Sequence, residues 1–176
     1  HNMKLPFPKP KIYKINNNDT WKTVYTKFNN SDWDIMGCII KNSNLDRSKI
    51  RNKTYETIHE LKGNNNKLQY IYYNLRKMKK VQHYLKYYPE NKTEFWNYRT
   101  ELINWTGQLL RLYRNHYVKH VLLKEHIPYQ FRPHIWELHQ YYLNELKERG
   151  KYITKQSVIE YICNLEPARL MYAINY

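Results

Sequence analysis

Glycine and cysteine are scarce in this chain of 176 residues. Its four glycines form neither a P-loop nor a dinucleotide-binding fingerprint, which excludes the standard glycine-rich cradles for a mononucleotide. Its two cysteines, Cys38 and Cys163, are too few for a disulfide framework, and each falls in an apolar segment. Buried free thiols are typical of a reducing compartment. No apolar run approaches the length that spans a membrane, so we expect an intracellular, cytoplasmic protein without a membrane partner.

Acidic residues are also scarce. The chain has 15 Asp and Glu against 30 Lys and Arg, a formal net charge of +15. Residues 1–88 hold 18 basic and 6 acidic residues, whereas residues 89–176 hold 12 and 9. An excess concentrated in one half predicts an anionic partner, of which nucleic acid is the commonest. An acidic protein, a membrane surface and a solvated basic surface without a partner are the alternatives.

Apolar residues recur at three- and four-residue steps over most of the second half. The predicted helices cover residues 64–88, 93–125, 133–149, 155–164 and 167–174. The second would be roughly 50 Å long at 1.5 Å per residue. The fold class is therefore predicted to be mainly α, a helical bundle around one long helix with a small N-terminal antiparallel β element.

The β element is predicted from shorter patterns near the N-terminus. Residues 21–28 alternate and are rich in β-formers, residues 35–40 form an apolar run, and residues 48–51 alternate again. Residues 3–14 contain prolines and are expected to be extended, and Thr54 is expected to cap a short helix that ends at Gly63. Residues 1–63 would form a small segment packed on a helical domain of residues 64–176.

Three cations in this segment are predicted to bind phosphate. In the strand Lys49-Ile50-Arg51 the isoleucine would face inward and the two cations would share the opposite face. Lys53 follows two residues later. Cations held on one face of adjacent strands make a surface suited to the phosphates of nucleic acid.

Residues 36–55 resemble the end of the nucleotidyltransferase domain of RNA ligases, the phage type and its relatives in large DNA viruses. Residues 36–40 (MGCII) lie on the family's fourth motif, Glu-Gly-apolar-Val. Residues 49–51 (KIR) lie on its fifth, Lys-x-Lys, and residues 52–55 (NKTY) on the segment that follows. The helical remainder stands where a ligase has its C-terminal domain. Lys, Asn, Tyr and Ile also predominate, which indicates an AT-rich genome such as those of many large DNA viruses.

The chain departs from the family's motifs at the residues that take part in the family's reaction. Met36 replaces the motif glutamate, Arg51 replaces the second lysine, and the motif Lys-x-Asp-Gly that carries the nucleotide-linked lysine is absent. A covalent nucleotidyl-lysine mechanism needs that nucleophile beside an acidic metal site. We therefore expect no ligation, no catalytic residue, no cofactor and no metal in this chain.

Two helical stretches add candidate nucleic-acid contacts. In the first, cations alternate with tyrosines, a pattern that suits phosphate contact and base stacking. In the second, two arginines accompany Tyr113 and Tyr117. If the two clusters lie close together, they would line one groove. The candidates are Tyr73, Arg76, Lys77, Lys79, Lys80 and Tyr84 in the first stretch, and Arg111 and Arg114 in the second.

These observations favour a noncatalytic RNA-binding domain over a DNA-binding one, as a degenerate or C-terminal relative of viral RNA ligases. One alternative is an adaptor subunit that docks viral proteins through Trp, Tyr and Leu side chains in a complex acting on RNA. Another is a C-terminal fragment of an active ligase whose lysine lies upstream. A location in a viral factory or virion fits each of them.

Overall fold

The computed structural model describes residues 11–16 and 19–176. This part of the chain is mainly α-helical and contains one two-stranded antiparallel sheet near its N-terminal end, as predicted. The chain divides into two compact units, His1–Thr57 and Ile58–Tyr176. Most of the extended segment predicted over residues 3–14 lies outside the described residues. The packing of the N-terminal segment on the helices stays a prediction.

The described helices and strands have the following bounds. The α-helices are α1 (Trp21–Asn29), α2 (Lys53–Lys62), α3 (Leu68–Lys77), α4 (Val81–Tyr87), α5 (Lys92–Tyr113), α6 (Arg132–Tyr141), α7 (Lys155–Asn164) and α8 (Pro167–Asn175). The strands are β1 (Gly37–Lys41) and β2 (Arg47–Arg51). Short 3-10 turns occupy Pro89–Asn91, Lys124–His126 and Tyr129–Phe131, and π-helical turns occupy Arg114–Val118 and Tyr142–Leu146.

The strand predicted over residues 21–28 is wrong, because these residues form α1. Thr20 begins the helix: its Oγ1 accepts a hydrogen bond from the Thr23 amide, and its carbonyl accepts one from the Val24 amide. Val24 is half-buried and Phe28 is buried one turn later. An N-cap of this kind stabilises a helix by about 1 kcal/mol. That local contribution outweighs the weak β preference of the alternating sequence.

The hairpin of β1 and β2 confirms the other two predicted strands. Gly37 pairs with Arg51 at its open end and Lys41 pairs with Arg47 beside the turn. Gly37 has a φ of +136°, and a Cβ added there would lie 2.1 Å from the carbonyl oxygen of Ile50. The close approach of the two strands therefore requires glycine at this position.

Asn52 fixes the end of the hairpin. Its side chain is fully buried, and its Nδ2 lies 2.9, 2.8 and 2.8 Å from the carbonyl oxygens of Ser31, Asp32 and Ile35. Its Oδ1 accepts a hydrogen bond from the amide of Thr54. Asn52 thus caps α2 in place of the predicted Thr54, and it ties the segment before β1 to the end of β2.

The long stretch predicted over residues 64–88 is two helices in the structure. Its apolar periodicity is correct, since Ile71 and Leu75 are buried in the core. The helix ends after Lys77, and Lys79 adopts a left-handed conformation with a φ of 58°. The Lys80 amide then donates to the Leu75 carbonyl across this turn. The apolar periodicity continues through the break between the two helices, so the periodicity could not predict the break.

The long helix is shorter than predicted at its C-terminal end. α5 passes into the π-helical turn at Arg114, and His120, with a φ of 56°, already lies beyond it. Around α5 the second unit forms its core, in which Trp105 stacks on Phe131 at 5.2 Å. The predicted helix starts at Lys155 and Pro167 are confirmed, and Thr154 caps the first of these helices through a capping box with Ser157. Among the described helices, none combines the length and the apolar character that crossing a membrane requires.

Candidate nucleic-acid interface

The hairpin presents its cations on one exposed face. Ile50 is 3 percent exposed, whereas Lys49 and Arg51 on either side of it are exposed, as the alternation predicts. Arg47 shares their face because it stands two residues before Lys49. Across the register Lys41 stands opposite Arg47, and it is exposed as well. Four cations therefore share one face of the hairpin, which we call the basic face: Lys41, Arg47, Lys49 and Arg51.

The basic face is almost free of carboxylates. Arg51 forms an ion pair with Glu56 at 3.1 Å, in which the arginine side chain is 75 percent exposed and the glutamate side chain 41 percent. Such a pair contributes about 1 kcal/mol or less, so a phosphate can compete for the guanidinium. Lys41, Arg47 and Lys49 have no ion-pair partner among the described residues. Neighbouring cations on β2 are about 6.8 Å apart along the strand, from a rise of about 3.4 Å per residue.

Lys53 lies outside the alternation. It is exposed, but it is the first residue of α2 and not part of β2. Asn52, directly before it, turns the chain from strand to helix through its buried side chain. Lys53 is thus placed near the open end of the basic face by sequence proximity and not by strand geometry.

The predicted cations of α3 and the following turn are only partly available. Arg76 is half-buried, and its Nη2 donates to the Sγ of Cys163 at 3.4 Å. Lys77 Nζ lies 2.6 Å from Glu166 Oε1 in an ion pair. Lys79 and Lys80 are exposed in the turn between α3 and α4. The structure therefore corrects the predicted role of Arg76, which is half-buried and has an intramolecular partner. Lys77 stays a candidate, because its ion pair lies on the surface and a phosphate can compete for the ammonium.

Tyr73 and Tyr84 are corrected as well. Both were predicted as stacking platforms, but both are buried in the core of the second unit. Tyr84 stacks on Phe95 at 5.2 Å and on Tyr88 at 4.6 Å, and its hydroxyl accepts a hydrogen bond from Asn91. Burial raises the pKa of Tyr73 to about 12. Neither ring offers a face to a base.

Arg111 and Arg114 are exposed at the end of α5, but they form no common groove with the α3 cations. α3 packs on the first turns of α5, where Tyr72 contacts Phe95 and Tyr98. From Tyr98 to Arg114 the helix advances about 24 Å at 1.5 Å per residue. The two clusters therefore lie along different parts of α5.

Arg114 borders a pocket that the sequence did not reveal. The pocket has a volume of about 390 Å³ and lies where the two π-helical turns come together. Its aromatic and apolar walls carry two cations, Arg114 and Lys119, and no carboxylate. We call it the aromatic pocket; its lining residues are Tyr113, Arg114, Tyr117, Val118, Lys119, His139, Tyr142, Tyr152 and Ile153.

Stacked rings form one wall of the aromatic pocket. The rings of Tyr117 and His139 are 3.7 Å apart and 6° from parallel, and Tyr142 stacks on His139 at 5.8 Å. Burial lowers the pKa of His139, and the nearby His116 and Lys147 lower it further. Burial also raises the pKa of Tyr113 to about 12. At neutral pH the wall is therefore made of uncharged rings beside cations.

The residues of this pocket are widely separated in sequence. Tyr117 belongs to the π-helical turn after α5, His139 to α6 and Tyr152 to the segment before α7. Of the lining residues, the sequence pointed only to the cluster of Tyr113, Arg114 and Tyr117. The one additional signal, the density of tyrosine and histidine, is common to the whole chain. π-Helical turns are frequent at functional sites but have no sequence signature.

A polar cluster apart from the aromatic pocket lies against the core of the second unit. Tyr161 donates to Glu137 Oε2 at 2.7 Å, and Arg169 also binds Glu137. The phenol has one proton and gives it to Glu137, so the Nδ1 of His134, 2.7 Å from the phenol oxygen, must carry the hydrogen of that bond. Burial lowers the pKa of His134 to about 4. The cluster is a chain of satisfied hydrogen bonds against Trp105 and contains no poised nucleophile.

No family model, curated protein or solved structure matches this chain. Within residues 11–16 and 19–176, no three His, Cys, Asp or Glu side chains come together as a metal site. The Nδ1 of His116 lies 2.8 Å from the Leu122 carbonyl oxygen. The functional argument therefore depends on the charge and geometry of the basic face and the aromatic pocket.

Proposed function

We propose that this chain binds single-stranded nucleic acid, RNA in preference to DNA, without ligating it. The observation that carries the proposal is the basic face, on which Lys41, Arg47 and Lys49 are exposed and have no ion-pair partner among the described residues. Such cations are solvated in the free protein and become neutralised when phosphates displace the counterions. The excess of cations in residues 1–88 favours the same partner.

The shape of the basic face suits an extended strand. Ile39 stands opposite Lys49 in the register, on the same face as the cations, and its side chain is 58 percent exposed. An apolar side chain between cations can contact a sugar or a base while the cations bind the phosphates on either side. Single strands expose base faces that are stacked inside a duplex. We therefore expect this surface to bind single strands in preference to duplexes.

The proposal includes a relationship to viral RNA ligases as a noncatalytic or C-terminal relative. The hairpin supports it, because the two stretches that resemble the ligase motifs pair with each other, Gly37 opposite Arg51. The need for glycine at position 37 also agrees with the glycine of the fourth motif. The lack of a Lys-x-Asp-Gly sequence leaves no nucleotidyl acceptor in this chain, so binding without ligation is the activity we propose.

The test is fluorescence anisotropy with a labelled 12-nucleotide single-stranded RNA, its DNA counterpart and a duplex. The hairpin variant K41Q/R47Q/K49Q removes three cations of the basic face. The control variant K92Q/R99Q/K155Q removes the same charge from exposed positions on α5 and α7. We expect the hairpin variant to bind RNA at least tenfold more weakly at low salt, and the control variant to stay within twofold of the unmodified chain.

Two results would contradict the proposal. One is the absence of RNA binding by the unmodified chain at low salt. The other is an equal loss in both variants, because binding would then follow net charge and not the basic face.

An adaptor role is the second candidate, and one observation favours it. Trp96 and Ile103 lie seven residues apart on α5, on the same side of the helix, and each is more than half exposed. Exposed tryptophans are frequent anchors of protein interfaces. Under this alternative, W96A would abolish association with a protein partner in nuclease-treated samples and would leave RNA affinity unchanged.

A further inference from the structure

We propose that the aromatic pocket is a nucleotide site that takes one base between its rings and holds the attached phosphate with Arg114 and Lys119. The site lies in the second unit, on residues separate from the basic face. The choice of a nucleotide among aromatic anions depends on the proposed function, whereas the site itself depends on the pocket.

The lining of the pocket defines the chemistry of its ligand. Aromatic rings make up most of its walls, and its two charged lining residues are cations. A ligand that matches both features has a flat unsaturated ring and a negative charge. Uncharged rings stack on such a ligand in either orientation, and the cations select the anion.

Tyr152 is the side chain that is free to close over the ligand. It is 74 percent exposed and forms no ring contact or hydrogen bond with any residue that the structure describes. Because Tyr152 stacks on no neighbouring ring, it gives up no existing contact of that kind when it turns toward a ligand. By contrast, Tyr117 and His139 are already stacked on each other and form a fixed wall.

The wall also contains a polar atom without a partner. His139 Nδ1 is buried, and no described residue hydrogen-bonds to it. Buried polar atoms are nearly always paired in a native fold, by protein or by water. Because this atom has almost no accessible surface, we assign the base to the exposed ring faces of the pocket and not to this nitrogen.

The size of the pocket limits the ligand to about one nucleotide. Its volume of about 390 Å³ lies at the lower end of the range for small-molecule sites, roughly 300 to 1,000 Å³. A helix of a partner protein is about 10 Å across and would not enter. The terminal nucleotide of a strand, or one turned out of it, fits the chemistry and the size.

The experiment uses isothermal titration calorimetry of the full chain with adenosine 5′-monophosphate, uridine 5′-monophosphate, adenosine and ribose 5-phosphate. We expect both monophosphates to bind with one-to-one stoichiometry. Adenosine, which lacks the phosphate, and ribose 5-phosphate, which lacks the base, should each bind at least fivefold more weakly. A base that stacks on one exposed tyrosine should lose at least fivefold in affinity in Y152A.

Matched variants separate the pocket from the rest of the surface. Arg114→Gln should weaken both monophosphates at least threefold, whereas Arg99→Gln, which removes an exposed arginine earlier on α5, should have no effect. Y129A removes an exposed tyrosine that does not line the pocket, and it is the control for Y152A. Equal effects of Y152A and Y129A would overturn the assignment, and so would the absence of monophosphate binding at millimolar concentration.

The outcomes distinguish this inference from the proposed function. The hairpin variant K41Q/R47Q/K49Q should lose RNA and keep adenosine 5′-monophosphate at full affinity. Monophosphate binding without any RNA binding would refute the proposed function and leave the pocket assignment standing. RNA binding with no monophosphate binding, and no effect of Y152A on RNA, would refute the pocket assignment alone.

Discussion

The imidazole of His139 lies flat against the ring of Tyr117, with the two rings 3.7 Å apart and 6° from parallel. Tyr117 belongs to the π-helical turn that follows α5, and His139 lies three residues before the one that follows α6. The stack therefore connects the ends of two helices beside the aromatic pocket. It also holds in place the wall to which we assign base binding.

Replacing Tyr117 with alanine should lower the free energy of unfolding by about 2 kcal/mol, because a half-buried aromatic ring loses its packing. Tyr117→Phe keeps the ring and should stay within about 0.5 kcal/mol of the unmodified chain. Urea denaturation followed by circular dichroism measures both. A loss in the phenylalanine variant as large as in the alanine variant would show that the hydroxyl, and not the stack, stabilises this end of the unit.

Stability should fall between pH 6.5 and pH 4 because of His134. Burial lowers its pKa from 6.5 in the unfolded chain to about 4 in the folded one, so the unfolded state takes up the proton first. The stabilisation is complete above pH 6.5 and is lost as the pH falls through 4. A shift of this size corresponds to about 3 kcal/mol. The lowered pKa of His139 acts in the same direction.

Urea denaturation of H134Q at pH 7.0, 5.5 and 4.5 tests this prediction. Glutamine cannot titrate, so the variant should be less stable at pH 7 and should lose much less on acidification. Replacing the exposed His126 with glutamine is the control for the loss of an imidazole and should leave the stability at pH 7 unchanged. The same slope in H134Q and the unmodified chain would contradict the assignment.

Lys79→Gly should stabilise the second unit by roughly 1 kcal/mol, because a side chain in the left-handed region costs about that much and glycine avoids it. Lys86, an exposed lysine inside α4, provides the control. Lys86→Gly should destabilise by roughly 1 kcal/mol, because glycine within a helix adds backbone freedom to the unfolded chain without relieving any strain. Thermal denaturation orders the two variants, and destabilisation by Lys79→Gly would contradict the expectation.

Asn52 should be the most sensitive polar position of the hairpin. Asn52→Ala removes the donor shared by three carbonyl oxygens and the cap of α2, and we expect a loss of about 3 kcal/mol. Asn52→Asp keeps the capping oxygen but turns a second oxygen toward those carbonyls, so it should be at least as damaging. Hydrogen exchange of the β2 amides reports on both variants. Retained protection in Asn52→Asp would show that the cap, and not the three-carbonyl contact, holds the hairpin.

Periodicity predicted the helical elements well because burial of one face stabilises a helix in any context. It failed where a single local feature decides the structure. The cap at Thr20 makes α1 a helix in spite of its alternating pattern. The break between α3 and α4 could not be predicted from a glycine, because the residue in the left-handed conformation is Lys79.

A candidate site could be predicted from the sequence when its residues are close together in the chain, and could not when they come from distant segments. The basic face follows from the two-residue period of a strand, so Lys49 and Arg51 could be placed from sequence. The tyrosines of α3 and α4 could not, because Tyr73 and Tyr84 face the core through contacts with distant helices. The aromatic pocket brings Tyr117, His139 and Tyr152 together only through tertiary packing.

The most direct test of phosphate binding by the basic face is the salt dependence of RNA affinity. For single strands the slope of log K against log salt changes by about 0.7 for each phosphate contact. The account predicts that K41Q/R47Q/K49Q has a slope shallower by about 2, and that K92Q/R99Q/K155Q keeps the slope of the unmodified chain. Identical slopes in the hairpin variant and the unmodified chain would contradict the account.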